Sequence, residues 1–407
     1  MKNVKTIMAL ILVASFVLVL VACGTEPAPT APSQTPQTSS TLPSAVAPAS
    51  TPPAGQSSQP PAVVPTDLPT KGYRIGINTF HSTAILMEFG NYAEYTWAAL
   101  GDHNTSRASD ELSADRELQN IQNFLAQGVD GITYMGGAEA VLRRVSDECK
   151  SAKVPFVMYN FPPNADDLAY MRADNPYFTG AVTVDWFVDG GIIAQRALDD
   201  GHRTAILVGS TYGSTTVDNR SAGFRSVFEA AGGVILDELR GDNVDTQQRV
   251  INSLSAHSDV DCVFIMGTDQ LEGTMAAYDM PGTPSKPSYL SGINATSKPY
   301  YDSGVLIAGT GGSGFFAYIA PPLLLNALDG HPIKDPNGDA PYLLIATSLI
   351  TAENYIAYFD VFADATAVGY EVVRQLAYRF NPDVTYDLFL EIIDRDFNVD
   401  ALLARRG

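Results

Sequence analysis

Apolar and polar positions divide the chain into three stretches of different texture. The first pairs a charged start, Lys2 and Lys5, with an apolar run from Ile7 to Val21. The second, Thr25 to about Thr70, is Pro, Ser, Thr, Ala and Gln with almost no large apolar residue. From Gly72 onward, short apolar runs alternate with segments whose apolar residues fall on one helical face, so strands alternate with helices. Tyr73–Asn78 predicts a first strand, and Ile85, Phe89, Tyr92 and Trp97 mark the buried side of the helix after it. Leu118, Ile121, Phe124 and Leu125 mark a second helix. Val129–Met135 and Pro155–Asn160 predict strands, with a helix over Ala140–Ala152 between them. After Ala173-Asp174-Asn175-Pro176 the pattern restarts with a long helix over Thr179–Leu198. A strand at Ala205–Val208 follows, then a helix from Asn219 that gathers Phe224, Val227 and Phe228 on one face. Further strands are expected near Val234–Leu239, Asp261–Met266 and Ser288–Ile293. Alternation of this kind means α/β architecture, parallel sheets covered on both faces by helices, and two successive series suggest two similar lobes.

Composition narrows what such a molecule does. Twenty-five Lys+Arg stand against 45 Asp+Glu in 407 residues, a formal charge of −20 with no basic tract, which argues against a nucleic-acid partner. Cys149 lies in a helix-like run and Cys262 opens a strand-like one; neither belongs to a metal pattern, so both are expected to be free and buried, and no metal site is assigned. The third, Cys23, directly follows Leu20-Val21-Ala22 and resembles the lipobox of bacterial lipoproteins. Residues 1–22 therefore predict an export signal, with Cys23 the lipid-modified N-terminus that follows cleavage. Residues 23–70 predict a disordered tether, since they hold too little apolar surface to offset the entropy of ordering.

Candidate chemistry concentrates in one loop. Between Val208 and Asn219 lie Gly209, Ser210, Thr211, Tyr212, Gly213, Ser214, Thr215, Thr216 and Asp218, too many hydroxyls and glycines for a plain connector. In open parallel sheets, loops leaving the carboxyl ends of strands line the ligand crevice. Asp218 either grips a ligand or caps the helix that starts at Asn219. Gly309–Gly314 fits G-x-G-x-x-G after an apolar strand, the pattern of a dinucleotide loop. It stands late in the chain and lacks a following strand ending in an acid, so a glycine-rich crossing between lobes is the better account, and no cofactor is assigned. The sequence has no G-x-S-x-G elbow, phosphate loop or H-E-x-x-H, and its five histidines are scattered. Among them His81 follows the first strand beside Thr79 and Phe80, as a helix-entry residue or a ligand contact. Asp166-Asp167 and Asp199-Asp200 read as solvated loop pairs.

Taken in order, IGIN, QNFLAQGVDGITYMG, ADNPYFTG, the segment Arg220-Ser221-Ala222-Gly223-Phe224, VFIMGTD and SGIN resemble the type I periplasmic binding proteins, most closely the sugar-binding branch serving ABC transporters. The resemblance implies two Rossmann-like lobes joined by three hinge segments that close on a small solute, without catalysis. It places the lobes at 71–175 with 311–345 and at 176–310 with 346–361, the crossings near Asn175-Pro176, Gly309–Gly312 and Ala346–Ser348, and a helical extension at 362–407. Ligand positions carry over as Thr79, Phe80 and His81 after the first strand, Asn160 and Phe161 after the fourth, Asp218 in the second-lobe loop, Thr268 with Asp269, Asn294, and Gly311; Tyr212 joins them from the loop reading. The expected solute is a sugar, polyol or amine-bearing analogue, held by Asn160, Asp218 and Asn294 between Phe80, Phe161 and Tyr212. The expected partners are that solute, an ABC permease and, through the lipid, the outer face of a membrane. Alternatives are a lipid-anchored sensor presenting its closed form to a receptor, and an NAD(P)-dependent oxidoreductase using the Gly309–Gly314 loop.

Overall fold

The computed structural model describes residues 71–80, 84–111, 113–137 and 139–406. The export signal, Cys23, the tether and His81 lie outside the described residues. None of the described helices is long and apolar enough to cross a membrane.

The first series runs β1 (Arg74–Thr79), α1 (Ala84–Leu100), β2 (Asn104–Ser109), α2 (Ala114–Ala126), β3 (Gly131–Tyr134), α3 (Leu142–Ala152), β4 (Phe156–Asn160), α4 (Ala165–Asp174) and β5 (Phe178–Val184). The second runs α5 (Trp186–Asp199), β6 (Thr204–Gly209), α6 (Thr215–Phe228), β7 (Val234–Arg240), α7 (Thr246–Ala256), β8 (Cys262–Ile265), α8 (Leu271–Tyr278), β9 (Ser288–Leu290), α9 (Lys298–Asp302) and β10 (Leu306–Gly311). The chain then returns through α10 (Phe316–Leu328) and β11 (Tyr342–Ile345), and goes on through β12 (Ser348–Thr351) and α11 (Tyr355–Val361) to α12 (Tyr370–Gln375), α13 (Tyr386–Asp396) and α14 (Val399–Arg406).

Two six-stranded sheets result, in the orders β11-β5-β4-β3-β1-β2 and β12-β10-β9-β8-β6-β7. Every pairing is parallel except β10 with β12. The inner strands are apolar because helices cover both faces; β3, β4, β5 and β8 are buried along their whole length. Helix α10, FAYIAPPLLLNAL, is buried on all sides except its last two residues, packed on β3, β4, β5 and α1.

The structure departs from the sequence reading at several elements. The helix expected over Thr179–Leu198 is a strand and a helix. Thr179–Val184 mixes β-branched with small residues, and Gly180, at φ 141°, sits at a register shift against β4. Because β5 belongs to the first sheet, the first crossing falls at Asp185, where its N–H donates to the Ile345 carbonyl, rather than near Asn175-Pro176. The other two passages between sheets run through Gly312, after β10, and through Ala346-Thr347, between β11 and β12. Strand β2, NTSRAS, is too polar to read as a strand; it is an edge, paired to β1 alone and partly open to solvent. Asp166 and Asp167 open α4 instead of lying in a loop, and Asp167 is buried against the Arg143 guanidinium at 2.6 Å. Asp200 is likewise engaged, accepting the Tyr289 hydroxyl at 2.6 Å.

Residues after α11 fold back across the first lobe. Helix α12 packs on α1 and α10, and Arg374 donates to the Ala99 carbonyl at 2.9 Å. Asn326 of α10 holds the turn after α12, donating to the Leu376 carbonyl and accepting the Tyr378 N–H. Arg379 closes on Asp329 at 2.6 and 2.7 Å and donates to the Lys71 carbonyl. Within the expected helical extension the first helix is the short α12, while α14 packs on α11 beside the second sheet. Cys149 and Cys262 are free and buried, and burial pushes each thiol up to about 12.

Candidate functional site

Strand order sets where a ligand meets these sheets. The first sheet reverses direction of growth between β1 and β3, the second between β6 and β8, and in doubly wound sheets the crevice lies outside the carboxyl ends at such points. A cleft of about 760 Å³ opens there, lined by segments that follow strands of both sheets and by Trp186 and Ser313 beside two of the crossings.

From the first lobe come Phe80 after β1, Gly136 and Gly137 after β3, and Asn160, Phe161 and Pro162 at the end of β4. The Phe80 and Phe161 rings meet edge to face at 4.7 Å. Gly137 makes this possible, since a Cβ there would fall 1.7 Å from the Phe80 ring. Asn160 adopts φ 73°, a left-handed conformation that Asn tolerates better than most side chains. Its carbonyl accepts the Thr183 hydroxyl at 2.5 Å, and its side-chain amide has no hydrogen bond among the described residues. The amide is thus a donor and an acceptor held at the cleft wall.

The second lobe supplies Ser210–Thr216 after β6, Gly241–Val244 after β7, Met266–Gln270 after β8 and Ser291-Gly292 after β9. Arg220 reaches the floor from α6. Its Nη1 donates to the Met266 carbonyl at 2.6 Å, and its guanidinium stacks on the Trp186 ring at 4.0 Å. Its Nε lies 3.6 Å from Asp189, whose carboxylate accepts from Ser291 and, at 2.7 Å, from Thr347. Burial pulls the Arg220 guanidinium down to about 10, against the pull of Asp189 and Asp269, so it remains charged at neutral pH. Among the described residues no hydrogen bond engages Nη2, which leaves a fixed donor for an oxygen in the cleft.

Of the residues expected at the site, the structure brings together Phe80, Asn160, Phe161, Tyr212, Thr268 and Asp269 on the cleft walls. Thr79 is buried within β1, its hydroxyl donating to the Ala108 carbonyl. Asp218 neither lines the cleft nor caps the helix: α6 starts at Thr215, and in its first turn Asp218 accepts the Gly213 N–H and pairs with Arg240. Asn294 caps the turn Ala295–Ser297, accepting the Thr296 N–H. Gly311 lies in β10 opposite Ser348, where a Cβ would fall 2.6 Å from the Tyr358 ring. At Gly309 the Ile293 side chain takes the same space, so these two glycines make room for protein side chains rather than for a pyrophosphate. Arg220 and Trp186 were not foreseen. The signal for Arg220 was its spacing: it stands one turn before Phe224 and two before Phe228, a charge on the buried face of a helix.

Residues 77–312 match the family model described as periplasmic binding protein domain. Comparison with curated proteins finds no match. Among solved structures, a solute-binding protein from Bacillus halodurans with bound myo-inositol is 14% identical, with TM-score 0.60 over 70% of this chain and 96% of that one. A binding protein from Actinobacillus succinogenes with bound D-allose is 16% identical, with TM-score 0.62 over 71% and 100%. The arabinose-transporter component from Shewanella, bound to L-arabinofuranose, is 20% identical, with TM-score 0.61 over 70% and 94%. At such identities the likeness is one of fold. Together with a family match across more than half its length, it establishes that the chain belongs to the periplasmic binding proteins and is built on their type I fold.

Proposed function

We propose that this protein captures a neutral, hydroxylated solute of the sugar class between its lobes and delivers it to an ABC importer. One observation carries the reading: two hydrogen-bonding groups with no partner among the described residues belong to residues lining the same cleft from opposite lobes, the Asn160 amide and the Arg220 Nη2. A solute bonded to both favours the form in which the lobes are close, and that form is what a permease would recognise. The Arg220 charge already has Asp189 beside it, so the site asks for a neutral oxygen rather than an anion. The amine-bearing solute rested on Asp218, and Arg240 occupies that carboxylate. Cys23 after Leu-Val-Ala supports attachment to a membrane by lipid outside the cytoplasm. Binders of myo-inositol, D-allose and arabinose share the fold, which supports a sugar-like solute without naming it.

The test is a thermal-shift screen of the purified protein against myo-inositol, D-allose, L-arabinose, D-tagatose and other polyols and monosaccharides, with NAD(P) as a control. A ligand at one hundred times its Kd adds about 2.7 kcal/mol to the folded state, a rise of several degrees. Stabilisation by NAD(P) alone would overturn the reading.

A further inference from the structure

We propose that the captured solute is a glycoside: a hydroxylated ring bonded at the cleft floor, carrying an apolar aglycone that lies against Tyr212 at the cleft mouth. The inference rests on the capture reading and names the ligand class for the same site.

It starts from an exposed ring that is nonetheless fixed. Tyr212 is 71% exposed on the second-lobe wall, and Val244, on the neighbouring loop of that wall, is 89% exposed. Single exposed apolar side chains need no explanation, but Tyr212 is not left to swing. The Arg240 guanidinium covers one face of its ring at 4.5 Å. Arg240 is itself buried and tied down by the Ser210 carbonyl at 2.6 Å, the Thr211 carbonyl at 3.2 Å, Glu238 at 2.9 Å and Asp218. Four acceptors hold the cation, and the cation holds the ring. The other face of the ring is left as a flat apolar platform in water, stacked on a cation as aromatic rings favour.

The cleft offers two kinds of contact. The buried floor carries Arg220 and Asn160, which suit hydroxyls. Toward solvent stand Tyr212 and Val244 on one wall, and the edge-to-face pair Phe80 and Phe161 on the other. A bare monosaccharide would satisfy the floor and leave the platform wet. The cleft, at about 760 Å³, falls in the upper part of the roughly 300–1,000 Å³ range of pockets that take ligands of several rings. A sugar joined to an apolar ring fills both levels.

Isothermal titration of the purified protein with matched pairs tests this: D-glucose against phenyl β-D-glucopyranoside, D-galactose against phenyl β-D-galactopyranoside, and D-ribose against adenosine. We expect the aglycone-bearing member of at least one pair to bind about tenfold or more tighter than its bare sugar. Tyr212→Ser, at an exposed position that folding does not need, should bring that ratio toward one, and Arg240→Met, which frees the ring, should lower it in part. Bare sugars binding as tightly as their glycosides, or a ratio unmoved by Tyr212→Ser, would overturn the aglycone site and leave sugar capture standing. If neither member of any pair binds, and the screen of free sugars is silent too, both readings fail.

Discussion

A non-glycine residue held at φ 73° stores strain that only a surrounding structure can maintain, and Asn160 does so where the cleft needs an amide. Asn160→Gly removes both the strain and the amide. Stability should change by no more than about 1 kcal/mol, because relief of strain is offset by the greater freedom of glycine in the unfolded chain. Affinity for whatever hydroxylated solute the screen finds should fall roughly 10- to 100-fold, the value of a lost buried hydrogen bond, as read by calorimetry beside a thermal melt. His103 gives a second prediction. Half-buried between Tyr73 and Trp97, with the Arg379 cation close by and Asp329 and Asp102 opposing it, its imidazole is lowered to about 4 from an ordinary 6.5. The unfolded chain takes up this proton first, so the contribution is complete above about pH 6.5 and is lost as pH falls toward 4. A shift of that size is worth up to ~3 kcal/mol, and His103→Gln should flatten the fall in urea midpoint between pH 7 and 4.5. Single residues were legible in the sequence where they directly follow a strand, as Phe80, Asn160 and Phe161 do. Asp218 was misread because its partner, Arg240, comes from the end of β7, 22 positions on, and no local pattern announces that pairing.

At the scale of elements, the helices after α11 act as a brace. Val368, Leu376 and Ala377 bury against the first lobe, Tyr318 of α10 donates to the Ala365 carbonyl at 2.9 Å, and the Phe315 ring touches both Phe362 and Phe397. Removing residues 362–407 uncovers α1 and α10, whose outer faces are apolar. Each large buried side chain is worth about 1.5–3 kcal/mol, so the shortened chain should melt more than ~10 °C lower by calorimetry, or fail to accumulate as soluble protein. A shortened chain that melts with the full one would show the brace to be an adornment. Element type was legible wherever length and period agreed, as in α1, α2, β4 and β6. It failed at β5, where small residues blur the difference between a period of two and one of three or four, and at β2, whose polar edge carries no apolar signal. The misassigned β5 also displaced the first crossing: a strand taken for a helix moves a lobe boundary with it.

For the whole molecule, two sheets of the same order face one cleft, and three passages of chain near Asp185, Gly312 and Ala346-Thr347 join them. That architecture was legible because alternation of strand and helix survives local misreadings, whereas the cleft chemistry depends on side chains from loops far apart in sequence. Gly312 takes φ 85°, and a Cβ there would fall 2.8 Å from Val399 of α14, so the tail rests directly on one of the three passages.

Lys71 and Tyr73, where the described chain begins, are also where the brace takes hold of the first lobe. The Tyr73 hydroxyl donates to Asp329 at 2.9 Å, Arg379 grips the same carboxylate, and it donates to the Lys71 carbonyl as well. The start of the described chain is therefore fastened to the first lobe. With the first lobe taken as the fixed frame, a hinge motion would appear as a swing of the second lobe with Arg220 and Tyr212 aboard.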